Sequence, residues 1–137
     1  WSYHQKIGAG IAGFAARGIK PAILSVHSFT KVFAGEERPW QVGVLWDRDS
    51  RISAPFIEAL KLRGDLEVGD NLPYSGRQHF GYSIETHAIE TGLPNVLIEV
   101  REDIVCEPDG AERMAEILTH ALEPILADSG LYRSETF

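Results

Sequence analysis

At 137 residues the chain is the size of one domain, and 44% hydrophobic with 24% charged residues is ordinary globular composition. A net charge of -7 speaks against nucleic acid as partner, because phosphate binding needs a basic face; an anionic ligand must be held by local arginines. No apolar run approaches the ~20 residues of a membrane span and no basic-then-apolar leader is evident, so no membrane partner is expected; Cys106 stands alone without an internal disulfide, which suits a cytoplasmic location.

Tyr3, Ile7, Ile11, Phe14 and Ala15 fall on one helical stripe, which Gly18 and Pro21 terminate. Gly8, Gly10 and Gly13 weaken that helix, and close packing against a sheet would explain them. Residues 22–26, AILSV, read as a short buried strand with His27 at its exit. A loop with Gly35 and Pro39 follows, and Val42, Val44 and Trp46 alternate as a second strand closed by the turn DRDS. Ser53 is placed to cap a helix over 54–63 that buries Phe56, Ile57 and Leu60 and stops at Gly64. Residues 66–68 read as a short strand, GDNLPYSGR as a loop, and 82–91 as a helix stopped by Gly92. After Pro94 a strand directs Val96, Ile98 and Val100 to one face and Leu97, Glu99 and Arg101 to the other. Asp109 and Glu112 resemble a capping box for a last helix with a wide apolar face from Ala111 to Ile125, which Pro124 should kink or end. Strands alternating with helices imply an α/β fold with a mixed, partly parallel sheet.

GAGIAG, residues 8–13, fits the glycine pattern of a dinucleotide-binding turn. The mechanism requires a buried strand before the first glycine and an acidic residue after the next strand, and neither is present; a dinucleotide-binding fragment is therefore the weaker alternative. In open α/β sheets, ligands gather beyond the carboxyl ends of strands, which draws attention to His27 and Glu99. A buried carboxylate needs compensation. Two accounts stand side by side: pairing with Arg101, two residues along the same face, or service as a general base beside a metal-bound water. Ser28 is no partner for His27, because neighbours on an extended chain point to opposite faces. Asn71 sits among turn formers, Asp47 and Asp49 in a charged turn, and Trp40 and Trp46 read as packing; His4, His79 and His120 show no partner pattern.

SVHSFT, RPWQVGVLWDRD, VGDNLPYSG and GLPNVLIEVRED, in this order, resemble the successive signature stretches of the N-formylglutamate amidohydrolase family. The resemblance implies a three-layer α/β/α sandwich around a mixed, partly parallel sheet, phosphorylase/hydrolase-like and related to zinc carboxypeptidase-like hydrolases. It implies metal-dependent cleavage of the N-formyl amide of an amino acid such as N-formylglutamate, with a small-molecule N-acyl amino acid as partner and Zn²⁺ or another divalent metal as cofactor. By motif position, His27 becomes the metal ligand and Glu99 the catalytic base. Arg38, Arg101, Asn71, Tyr74 and His87 become substrate-binding residues, and Arg38 and Arg101 are favoured over Arg48 and Arg77 as the carboxylate clamp. Family members carry a longer N-terminal half, so residues 1–137 are expected to form a single domain lacking that half, with further metal ligands upstream of Trp1. Lys31 stands where the family commonly has proline. The competing reading is a truncated, non-catalytic domain of the same fold. The hydrolase reading requires His27 and Glu99 to converge across neighbouring strands; side chains on opposite faces would end it.

Overall fold

The computed structural model describes residues 2–78, 82–133 and 135–136. In chain order it contains α1 (Ser2–Ala15), β1 (Ile23–Phe29), a small hairpin of β2 (Val32–Phe33) and β3 (Glu36–Glu37), β4 (Val42–Leu45), α2 (Ser53–Leu62) and β5 (Val68–Asp70). There follow α3 (Tyr82–Ile84), which runs into a π-helical turn Glu85–Ile89, then β6 (Asn95–Arg101), α4 (Glu102–Val105) and α5 (Pro108–Ala127). The main sheet has the order β1-β6-β4-β5. β1 and β6 run parallel, as do β4 and β5, while β4 and β6 are antiparallel.

β6 lies inside the sheet, and its first six residues are buried because both faces are covered. On one face Val96, Ile98 and Val100 join Val42 and Val44 against Phe56 and Leu60 of α2 and Met114 and Ile117 of α5. On the other, Leu97 and Leu45 pack against Ile84 and Ala88. This is the expected α/β/α layering, with the period-2 alternation of β6 assigning each residue to its layer.

Several local expectations change. β1 continues to Phe29, so His27 lies within the strand and not past its end; pairing with β6 over seven residues extends it. Ser53 does not cap α2: Ile52 holds the N-cap position, and the Ser53 hydroxyl is buried without a hydrogen-bond partner. Asp109 and Glu112 form no capping box, since α5 begins at Pro108 after Glu107 with no side-chain cap. Proline at the first helical position needs no donor and has its φ already set. Pro124 does not end the helix, and α5 runs on to Ala127. The strand expected at 66–68 lies at Val68–Asp70, where Val68 pairs with Val42.

GAGIAG lies in the middle of α1 and not at a strand-to-helix turn, which removes the structural basis of the dinucleotide-binding alternative. A Cβ added at Gly8, Gly10 or Gly13 would meet nothing within 4 Å, so close packing within the described residues does not explain these glycines. α1 buries none of its residues. It ends as the sequence implies: Gly18 has φ +72°, its N–H donates to Ala15 and that of Ile19 to Phe14, a Schellman arrangement.

Asp49, expected in a solvated turn, is buried and ion-paired with Arg51 at 2.6 Å. The same guanidinium donates to the carbonyls of Gly92 (3.0 Å), Leu131 (3.2 Å) and Arg133, tying the C-terminal segment to the turn after β4. Removing one member of a buried pair leaves the other uncompensated. Arg51→Ala is therefore expected to cost about 3–5 kcal/mol in urea unfolding; a loss below about 1 kcal/mol, the value of an exposed pair, would show that Asp49 is solvated.

Candidate active site

The parallel register of β1 on β6 sets His27 directly opposite Glu99. Residues paired in this way share a sheet face, and Nδ1 of His27 lies 3.7 Å from Oε1 of Glu99. That separation allows electrostatic contact but exceeds a hydrogen bond. The convergence on which the hydrolase reading depends is present. The imidazole is half exposed and the carboxylate buried, at 50% and 8% side-chain exposure, so solvent reaches the pair from the His27 side. Ser25, two residues earlier on the same face, places its hydroxyl 3.1 Å from Nε2 of His27.

On the opposite flank of Glu99 the sheet is bare. Gly43 of β4 is the register partner of Glu99, and Gly69 of β5 is the partner of Gly43. A Cβ at either position would fall 2.3 or 2.4 Å from the Leu72 carbonyl oxygen, so the missing side chains let the following loop lie flat on the strands. Asn71 organises that loop. It adopts φ +53°, its N–H donates to Val44, and its Oδ1 accepts from the N–H groups of Trp46 and Gly76, both at 3.0 Å. The loop carries Tyr74 to Arg38, whose Nη1 donates to the phenolic oxygen at 3.0 Å. The Arg38 guanidinium also lies over the rings of Phe33 (4.6 Å), Tyr74 (4.9 Å) and Phe29 (5.9 Å). Rings desolvate and orient such a cation without neutralising it.

Arg101 does not neutralise Glu99. Its guanidinium pairs with Asp103 at 2.7 Å and donates to the carbonyls of Arg38, Pro39 and Trp40. It thus braces the backbone that presents Arg38. With that compensation spent elsewhere, burial pushes the Glu99 carboxyl above its usual range, opposed by the nearby charges of His27 and Arg38, and its Oε2 is buried without a hydrogen-bond partner.

The structure therefore gathers Glu99, His27, Arg38 and Tyr74 on one sheet face, with Asn71 and Arg101 as the struts of the neighbouring loops. His87 lies on the π-helical turn and meets His4 of α1, Nε2 to Nδ1 at 3.1 Å; His4 thereby acquires a partner that its sequence context did not suggest. Arg77 stacks on Trp46, and Arg48 is exposed beside Asp47. His79 lies outside the described residues. Sequence reasoning missed Ser25, Gly43, Gly69 and Phe33. The glycines had a readable signal, since glycine inside a strand marks close backbone approach. Among the described residues no group of three or more His, Cys, Asp or Glu could hold a metal ion. His27 and Glu99 fall short of the three protein ligands of a catalytic zinc, so these residues by themselves do not fit a complete metal centre.

A carboxyl with a raised folded-state pKa holds its proton more tightly in the folded than in the unfolded chain, so it subtracts stability as pH rises from the ordinary carboxylate range through the folded value. Glu99→Gln is accordingly expected to raise Tm near neutral pH, with the gap over the parent closing as pH falls into the ordinary carboxylate range. A pH-independent or inverted gap, measured by thermal unfolding in a pH series, would refute the assignment of Glu99 as a desolvated acid.

Comparison with known proteins places this geometry in context. A crystal structure of a gene product from Agrobacterium tumefaciens superposes with a TM-score of 0.80 at 30% sequence identity, over 90% of this chain and 50% of that one. This chain thus spans about half the length of that relative. No curated protein matches the sequence. The family model described as N-formylglutamate amidohydrolase matches residues 1–106. Those residues include β1, β6 and every side chain gathered at the site, and the chain belongs to the N-formylglutamate amidohydrolase family.

Proposed function

We propose that this chain carries the general base and the substrate carboxylate clamp of a hydrolase that converts N-formylglutamate, or a closely similar N-acyl amino acid, to formate and the free amino acid. The family membership supports hydrolysis of this amide class. The single observation that carries the residue assignment is the buried, raised-pKa carboxyl of Glu99 facing His27 on one sheet face, with Arg38 close enough to act on its charge.

In this reading Glu99, as carboxylate, takes a proton from the attacking water as the oxygen bonds to the formyl carbon. The resulting tetrahedral species collapses by breaking the C–N bond, and Glu99 returns the same proton to the departing nitrogen. Arg38 binds a substrate carboxylate, because its planar fork matches that geometry and its aromatic surroundings leave the charge available. Tyr74 orients Arg38. Asn71 and Arg101 serve by holding the Tyr74 loop and the Arg38 backbone, and His87 by fixing the π-helical turn. His27 is the proposed imidazole donor to a divalent ion, Zn²⁺ by donor chemistry. Because the described residues do not complete such a site, no chemical step is assigned to the ion. A cytoplasmic location accompanies the proposal.

A second reading follows from the half-length coverage: residues 1–137 alone bind the N-acyl amino acid without turning it over. Formate release by residues 1–137 alone separates the two. A protein joining this chain to a counterpart of the relative's other half is expected to release formate from N-formylglutamate. Glu99→Gln should then lower the rate by about 10²–10⁴-fold, and unchanged turnover would remove the base assignment. Arg38→Ala should raise KM by about 10- to 100-fold, the loss of one charged hydrogen-bonded contact. Residues 1–137 alone are expected to retain no stoichiometric zinc after dialysis, and zinc at one equivalent with turnover would overturn the second reading.

A further inference from the structure

An imidazole presents different edges depending on the rotation of its ring. Turning the His27 ring by half a revolution about its bond to Cβ exchanges Nδ1 for a carbon at the edge that faces Glu99. The ring is half exposed, so packing alone does not select between these orientations. Its electrostatic partner is 3.7 Å away, too far for a hydrogen bond. The hydrogen bond the ring does make among the described residues is to Ser25, at 3.1 Å through Nε2.

Ser25 is well placed for this duty. Residues two apart on a strand stand on the same face, ~7 Å apart along the chain, and β1 is held in register by β6 along its whole length. The backbone positions of Ser25, His27 and Glu99 are therefore fixed relative to one another, and the Ser25 hydroxyl lies within hydrogen-bond reach of the ring. The chemistry of a hydroxyl also matters: it both donates and accepts. When Nδ1 carries the ring proton, Ser25 donates to the bare Nε2. When the Nδ1 lone pair is in use, the proton sits on Nε2 and Ser25 accepts it. A carboxylate at this position would only accept and would add a negative charge near Glu99.

We propose that Ser25 is a positioning residue for His27, holding the imidazole through Nε2 so that Nδ1 is the atom presented to Glu99. The inference rests on reading His27 and Glu99 as the facing pair of the site, and it gives a role to a residue that carries no chemistry itself.

The test uses the 137-residue chain and needs no turnover. Two-bond ¹H–¹⁵N correlation spectra of the His27 ring, recorded where the imidazole is neutral, report the hydrogen bonding and protonation of each nitrogen. Contacts from the ring protons to the Glu99 side chain report orientation. Ser25→Ala should lose the hydrogen-bonded Nε2 shift and the fixed pattern of contacts to Glu99. Ser25→Thr, which keeps a hydroxyl and suits a strand, should retain both. An unchanged His27 ring in Ser25→Ala, or its loss in both variants, would overturn the proposal. Failure of formate release would leave this result standing, so the two readings fail separately.

Discussion

A buried carboxylate on a central strand is the constraint around which this fold is arranged. Glu99 sits between Ile98 and Val100 in a strand whose first six residues are buried, and desolvation disfavours its charged form. An adjacent arginine can offset that cost. Here the nearest candidate in sequence, Arg101, turns away to Asp103 and to three carbonyls. The compensation comes from groups brought in by other elements: His27 through the parallel pairing of β1, and Arg38 from the segment after the small hairpin. Incomplete compensation leaves an acid of raised pKa in a position open to solvent on one side, as a general base requires.

The neighbouring loop shows how backbone space is converted into site geometry. Two paired glycines, Gly43 and Gly69, leave a flat area on the sheet beside Glu99 that the Leu72 carbonyl occupies. Asn71 then fastens the loop by satisfying two N–H groups with one side-chain oxygen, and Tyr74 follows at a fixed distance from Arg38. Arg38 is thus held in place by contacts within the chain. Arg101 completes the arrangement from the other side by holding the carbonyls of residues 38–40.

Much of this was legible in the residues. The alternation in NVLIEVR assigned Val96, Ile98 and Val100 to one layer and Leu97 with Glu99 to the other, because a strand has a side-chain period of two. Helix positions followed from apolar spacing, and four ordered motifs pointed to the family. Errors gathered where local chemistry had competitors. Ser53 looks like a cap, yet α2 begins one position earlier and buries it. Asp109 and Glu112 look like a capping box, yet Pro108 opens the helix. Arg101 looks like the partner of Glu99, yet Asp103 lies the same distance along the chain on its other side and is exposed to receive it.

What the sequence by itself determined was the class of fold and the family, and it singled out His27 and Glu99 as candidates, since periodicity and residue type are properties of short stretches. Only the tertiary structure decided that His27 and Glu99 are register partners, that Arg101 braces while Arg38 faces the site, and that Ser25 governs one edge of the imidazole. The physical reason is that a strand's own pattern sets which face a side chain takes, whereas the choice of neighbour depends on how distant segments pair. That pairing depends on the summed packing of both layers of the core and not on any single stretch of residues.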